Sequence, residues 1–426
     1  MMILKNFKKK KILILGSNIE TAPLIEKAKQ KNLITFVIGK EKTNKTKQIA
    51  DFPIQGDAAN FQFVNDVVRK NKIDAVMIGT VDILLKNYEE VCRKNKLPCY
   101  ANKRSVGYFS SKNNFNKISK KFGFKNIPDY TNYFKNKNVL PDNLFPVLVK
   151  PVDSGGGVGA KICYSNSQLK IAAKEAKIKS KKNMIVCQKY FLQDDIQLYY
   201  TIINKKVFLS CVVDRTTNKN QNNKSPVCIG TNYNSKYLKL ILSKYNNKFK
   251  QMINYLDIEN GILSIQCFVK NNEIYPYDPG FRLQGEGQHL VLNKINKFNH
   301  LDMLLDLSLG KPFFTGNFTK FNDPTLKQKF VSSVWILLKE GIINKICDLD
   351  KIKNHKCFLD MMLRFKLKDK VKSSFTGTEK QVFARIYLAS TKKKELINAI
   401  NYIHKKLKIL DTNNKNMILD KYVRHK

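Results

Sequence analysis

The chain has 426 residues, 43% of them hydrophobic and 11% aromatic. That is enough apolar surface for real cores, and the length suggests about three domains. No apolar run approaches the roughly 18 residues that cross a bilayer, so no membrane-spanning helix is expected. The formal net charge is +43, but the basic residues are 69 Lys and only 8 Arg. Phosphate and base recognition favours the planar guanidinium that is scarce here. The lysines are spread over every segment, so the charge reads as a solvated surface with the Lys, Asn and Ile bias of an AT-rich genome. No specific nucleic-acid partner is implied.

The N-terminal "FKKKKILILGS" is a short basic lead into a first strand, without the small-residue cleavage site of a signal peptide. "KILILGS", "LITFVIG", "IDAVMIG" and a short "LPCYA" read as strands. "ETAPLIEKAKQKN", "FQFVNDVVRKNK" and "LLKNYEEVCRKN" read as the helices between them. This alternation predicts a doubly wound parallel sheet, which binds ligands at its carboxyl edge. The first strand-helix turn, "GSNIET", lacks the later glycines of a dinucleotide fingerprint.

From Lys112 the pattern changes. "NNFNKISKKFG" reads as a helix, "FPVLVKP" and "AKICYS" as two strands around a glycine-rich loop, and "SQLKIAAKEAKI" as a helix capped by Ser167. "NMIVCQKYF" is a strand. "IQLYYTIINKKVFLSCVVDR" is two strands around a turn at Asn204 to Lys206, followed by the polar loop "TNKNQNNKSP". "KYLKLILSKYNNKFKQMINYL" is helical. "GILSIQCFVKNNEIYPYDPGFRL" is a hairpin turning at Asn271 and Asn272. The last hundred residues hold a strand-helix-strand unit, with Leu396, Ile400, Ile403 and Leu407 on one helical face. The nine cysteines form no C-x-x-C pair and sit mostly in apolar runs, as expected of free thiols in a reducing cytoplasm.

The loop "KPVDSGGGVGAK" admits three readings. It does not supply the G-x-x-x-x-G-K-[ST] of a P-loop. A dinucleotide loop would have to open a helix, and a strand follows instead. As a flexible hairpin, its bare amides fold over nucleotide phosphates beside a lysine. An ordinary glycine-rich turn is the alternative. Downstream, Asp278 and Arg282 lie four apart on a strand and share a face. They read either as a metal ligand with an oxyanion stabiliser or as a surface ion pair.

The order of these pieces resembles the ATP-grasp ligases, over nearly the whole chain. The resemblance implies a doubly wound first domain at 1–111, an ATP-grasp domain at 112–310 with a small lid at about 113–186, and a C-terminal domain at 311–426. It implies ATP and Mg²⁺. Lys112 in "SSKNNF", ahead of "GFKNIP", and Lys150 in "VLVKP" match the phosphate-binding lysines. Ser154, Gly155, Gly156 and Gly157 match the phosphate-covering loop. Gln188, Lys189, Tyr190 and Phe191 match the hinge whose backbone reads adenine, and Asp195 falls where an acid holds the ribose. "YPYDPGFRLQGEGQH" matches the metal-bearing strand, with Asp278 as ligand and Arg282 as its arginine. Two positions depart from the pattern: Gln266 stands where a second acidic ligand is usual, and Gly280 where Asn is. The implied reaction activates a carboxylate as an acyl phosphate for attack by an amine, giving an amide, ADP and phosphate.

Glu286, after R-L-Q-x, is placed as a base, with a helix-capping or exposed glutamate as the alternative; His289 is a weaker candidate. At the strand end "VVDRTTN", Asp214 and Arg215 are candidate substrate residues: Arg215 either clamps a substrate carboxylate bidentately or pairs with Asp214. A bicarbonate-activating carboxylase and a nucleotide-binding protein without turnover are the competing functions. The resemblance also allows a homodimer, with small-molecule acid and amine as the partners.

Overall fold

The computed structural model describes residues 9–152, 159–191, 193–218, 226–312 and 316–424. Ser154, Gly155, Gly156 and Gly157 lie outside these, as does most of the 217–226 loop.

The first unit is a parallel sheet of β1 (Lys11–Leu15), β2 (Ile34–Gly39), β3 (Phe52–Gln55) and β4 (Ala75–Ile78), in the order β3-β2-β1-β4. The run Ile12–Leu15 is fully buried, as a parallel strand covered on both faces requires. The expected strand at "LPCYA" does not form: residues 97–101 are irregular and lead into a helix at Lys103–Phe109. Three apolar residues beside Pro98 are too short a run to specify pairing.

The second unit begins with the helix Lys112–Lys121 and a small antiparallel sheet, β6-β5-β7, of β5 (Val147–Pro151), β6 (Lys161–Cys163) and β7 (Ile185–Lys189). The helix Asn166–Lys179 packs on it and buries Leu169, Ala172, Ala173 and Ala176. Its N-cap is Ser165, whose hydroxyl accepts from the Gln168 amide at 3.4 Å. Ser167, the expected cap, already lies inside the helix.

The largest sheet has eight strands, the first six in chain order being β8 (Asp194–Ile203), β9 (Lys206–Thr217), β10 (Cys228–Asn232), β11 (Gly261–Lys270), β12 (Glu273–Gly280) and β13 (Phe330–Leu337). After the short β14 (Gly341–Ile342) and β15 (Lys345–Cys347) come β16 (Phe358–Leu363), β17 (Lys370–Val371), β18 (Val382–Ser390) and β19 (Lys408–Leu410). The strand order β12-β11-β8-β9-β10-β13-β18-β16 runs the sheet without a break past residue 310. The β8–β9 and β11–β12 hairpins turn at Asn204–Lys205 and Asn271–Asn272, all with positive φ, the two-residue turn that asparagine tolerates. The predicted strand-helix-strand unit is β18, the helix Lys393–Lys406 and β19; its four apolar residues are all buried. All nine cysteines are free. Among the described residues no helix is long and apolar enough to cross a membrane.

Candidate active site

The hairpin registers place the polar residues of the cleft. Across the large sheet Asp195 pairs with Arg215, Gln197 with Gln266, and Gln266 with Asp278. These side chains therefore form one polar patch on an otherwise apolar sheet. Above it, β5 of the small sheet carries Lys150, and the helix at Lys112–Lys121 opens with Lys112.

Lys112, Lys150 and Asp278 converge. The Lys112 Nζ lies 3.7 Å from Asp278 Oδ1, both side chains half-exposed. Lys150 is half-buried. Burial, with the Lys112 charge beside it, pulls its ammonium down to about 7, and Asp278 only partly opposes this. Two ammonium groups crowded on one carboxylate form a cationic pocket suited to a polyanion.

Next to it sits a buried ion cluster. Arg215 Nε donates to Asp195 Oδ2 at 3.1 Å, and its Nη1 donates to Glu286 Oε1. The other Glu286 oxygen accepts from Gln288 Nε2 at 3.1 Å. Burial pushes the Asp195 carboxyl up to about 6, against the pull of Arg215 and the Tyr277 hydroxyl. Glu286 is thus neither a solvent-exposed nor a helix-capping residue. Its carbonyl accepts from the Tyr387 hydroxyl at 2.7 Å, tying it to β18. Arg282 is held by Asp82, by the Leu283 carbonyl at 2.9 Å and by Gln284 Oε1 at 3.2 Å. Its buried Nε has no hydrogen-bond partner among the described residues.

Several expected roles change. Asp214 does not join Arg215: adjacent strand residues face opposite ways, and Asp214 instead accepts from Ser235 and from the Lys236 amide at 3.1 Å. Asp195 is taken up by Arg215 and by the Tyr277 hydroxyl at 3.0 Å, not left free for a ribose. The Gln266 Oε1 lies 2.9 Å from that same hydroxyl, so the amide oxygen meant for metal is engaged within the protein. At the hinge, the Lys189 and Tyr190 amides donate to the carbonyls of Pro128 and Pro146. The Lys189 ammonium donates to the Leu144 and Phe145 carbonyls, at 2.9 and 2.8 Å. Gln188 is half-buried beside Asp129, with which it forms a bridge. Phe191 is buried against Tyr275, ring centres 5.2 Å apart. His289 is buried, both ring nitrogens are without partners among the described residues, and burial lowers it to about 4, so it is neutral.

Sequence reasoning missed Asp82, Glu20, Arg364 and Arg385. One signal was available. Arginine is rare in this chain, and Arg215, Arg282, Arg364 and Arg385 are half of the 8 it has.

The chain carries the ATP-grasp fold. Among solved structures it is similar to phosphoribosylglycinamide synthetase from Anaerococcus prevotii, with a TM-score of 0.70, 15% identity, and 95% of this chain and 100% of that one covered. It is similar over the same shares to L-amino acid ligase from Bacillus licheniformis, with a TM-score of 0.77 and 15% identity. The biotin carboxylase domain of 2-oxoglutarate carboxylase from Hydrogenobacter thermophilus, in complex with MgADP, ADP and bicarbonate, matches with a TM-score of 0.72 and 14% identity over 94% of this chain and 90% of that one. No family model and no curated protein matches the sequence.

Proposed function

We propose that the protein is an ADP-forming ligase that activates a carboxylate with ATP and joins it to an amine. The observation that carries this reading is the convergence of Lys112, Lys150 and Asp278 beside the Arg215–Glu286 pair and Arg282. The two lysines hold the β- and γ-phosphates and lower the charge that a carboxylate must approach. The ATP γ-phosphorus–oxygen bond breaks as the substrate carboxylate attacks, leaving an acyl phosphate and ADP. The amine then adds to the acyl carbon and phosphate leaves. Arg282, whose Nε–H has no partner among the described residues, is assigned to the oxyanion of that step. Glu286 takes the proton that the amine loses. Most of the acceleration comes from placement and fixed charge rather than from covalent help.

The donor set fits magnesium held mainly by the nucleotide. No group of three or more His, Cys, Asp or Glu able to hold a metal exists among the described residues, and Asp278 supplies one carboxylate. Mg²⁺ is commonly bound by one or two carboxylates with phosphate oxygens and water. When bound, the ion would neutralise phosphate charge.

The experiment is ADP release over a panel of acids crossed with amines. Lys150→Ala and Asp278→Asn should each lower it by ~100-fold or more while the far-ultraviolet circular dichroism is unchanged. Wild-type rates in either variant overturn the assignment. ADP release that needs bicarbonate rather than an amine would favour a carboxylase, and nucleotide binding without turnover on any pair would favour a binding protein.

A further inference from the structure

Beside Glu286 the first unit meets the C-terminal strands through a second buried cluster. Glu20, in the turn after β1, accepts from Arg364 and, at 3.1 Å, from Arg385 Nη1, both at Oε1. Its Oε2 accepts from Asn18 Nδ2 at 3.1 Å. Arg385 Nη2 donates to Glu379 Oε2 at 3.3 Å, and the guanidinium lies 4.3 Å from the Trp335 ring centre. The Arg364 carbonyl accepts from Lys45 Nζ at 2.9 Å. Glu20 reaches Gly285, where an added Cβ would lie 3.2 Å from its Cγ, so the cluster is one residue removed from Glu286.

We propose that Arg364 and Arg385 bind the carboxylate of a zwitterionic amino acid, whose ammonium faces Glu20, Glu379 and Glu286. This rests on the ligase reading above and names its amine substrate.

Three observations support it. First, donors remain: each guanidinium has five N–H groups, and the buried Nε of Arg364 and of Arg385 has no partner among the described residues. These N–H groups can meet a second carboxylate without displacing Glu20. Second, Arg385 is nearly inaccessible and Arg364 only partly covered, with 4% and 22% of their side chains exposed, so a ligand reaches the pair from the Arg364 side. Third, charge selects the ligand. Glu20, Glu379, Glu286 and Asp195 oppose Arg215, Arg364 and Arg385, one negative charge in excess. A lone carboxylate would add to that excess, and a lone amine would leave the guanidinium donors unmet. A molecule bearing both groups satisfies both. Its amine then stands at the residue assigned to deprotonate it. A chain that uses lysine almost everywhere keeps arginine here, where planar bidentate geometry is needed.

The test is calorimetric titration with the standard L-amino acids, each compared with its decarboxylated amine and its deaminated acid, in the presence of Mg²⁺ and a non-hydrolysable ATP analogue. At least one amino acid should bind ~10-fold or more tightly than both of its single-charge counterparts. Arg364→Gln should weaken it by a similar factor while leaving analogue binding intact. If the analogue binds and no amino acid does, if a counterpart binds as well, or if Arg364→Gln binds the amino acid like wild type, the inference is overturned. Failure of the analogue itself to bind overturns the ligase reading first, and this inference with it.

Discussion

Lys150 sits where burial and a neighbouring ammonium disfavour its charge, and the consequence runs in a definite direction. Its proton affinity in the folded chain, about 7, lies below the ordinary lysine value of 10.5. Between those values the unfolded chain holds a proton that the folded chain lacks, so the residue's contribution to stability rises with pH across that window. Below the window the folded protein bears the full cost of a crowded charge. Lys150→Met should therefore be more stable than wild type at about pH 6, by roughly 1–3 kcal/mol, with the gain shrinking toward about pH 9. The same variant should lose ADP release. Denaturant titration at the two pH values checks the first part, and a pH-independent difference would refute it. A residue kept at the expense of stability is what a functional site produces. Lys150 and Asp278 were legible in the sequence because their neighbours fall in a known order. Asp195 and Glu286 were legible by their place in the motif order and Arg215 as a rare arginine at a strand end, but their mutual pairing was not. It depends on which strands lie side by side, and that is decided by chain reversals of 20 and 71 residues.

The element that supplies Arg282 and Glu286 runs on from the end of β12, "GFRLQGEGQH", and its glycines explain its course. An added Cβ at Gly280 would lie 2.7 Å from the Gln284 amide nitrogen and 3.1 Å from Ser264 Oγ. The departure from Asn is thus built into the packing, and Gly280→Asn should destabilise the fold rather than add a metal ligand. Gly287 has φ +80, and an added Cβ would overlap the Tyr387 hydroxyl that holds the Glu286 carbonyl. Gly287→Ala combines left-handed strain with loss of that bond. It should cost about 2 kcal/mol or more in denaturant titration. Tyr387→Phe, which removes only the bond, should cost about 1 kcal/mol. Equal stability of Gly287→Ala and wild type would show that the segment is not held by β18. Periodic elements were read in the first unit and in the two hairpins, whereas the apolar strand β13 and the helices Gln288–Asn296 and His300–Ser308 were not. β3 escaped notice because it is four residues with a proline and largely exposed. β10 escaped because Gly230 breaks its apolar pattern, and Gly230 is there to let the Tyr422 ring lie against the backbone.

At the scale of the molecule, the carboxyl edge of the parallel sheet faces the large sheet where the strand order reverses, between β1 and β4. The turn after β1 supplies Glu20 and the segment after β4 supplies Asp82, as expected for a ligand crevice at a topological switch point. Sequence reading identified this edge as a binding place but not its partners. Arg282 lies 200 residues from Asp82, and Arg385 lies 365 from Glu20. No local pattern encodes such pairs. The Asp82–Arg282 pair is where the first unit controls the chemistry proposed for β12. Arg282 is largely buried and Asp82 half-exposed, so removing the carboxylate leaves a covered guanidinium with partial access to water. Asp82→Ala should then cost roughly 1–3 kcal/mol, less than breaking a fully buried pair. It should also lower kcat by about 10-fold or more with little change in KM for ATP, because Arg282 is needed at the oxyanion rather than at the phosphates. Asp82→Asn keeps the shape and loses the charge, so its kcat should fall between the two. Steady-state kinetics on both variants decide the point. An unchanged kcat would mean that β12 alone orients Arg282, and a rise confined to KM would move the arginine from the oxyanion to the nucleotide.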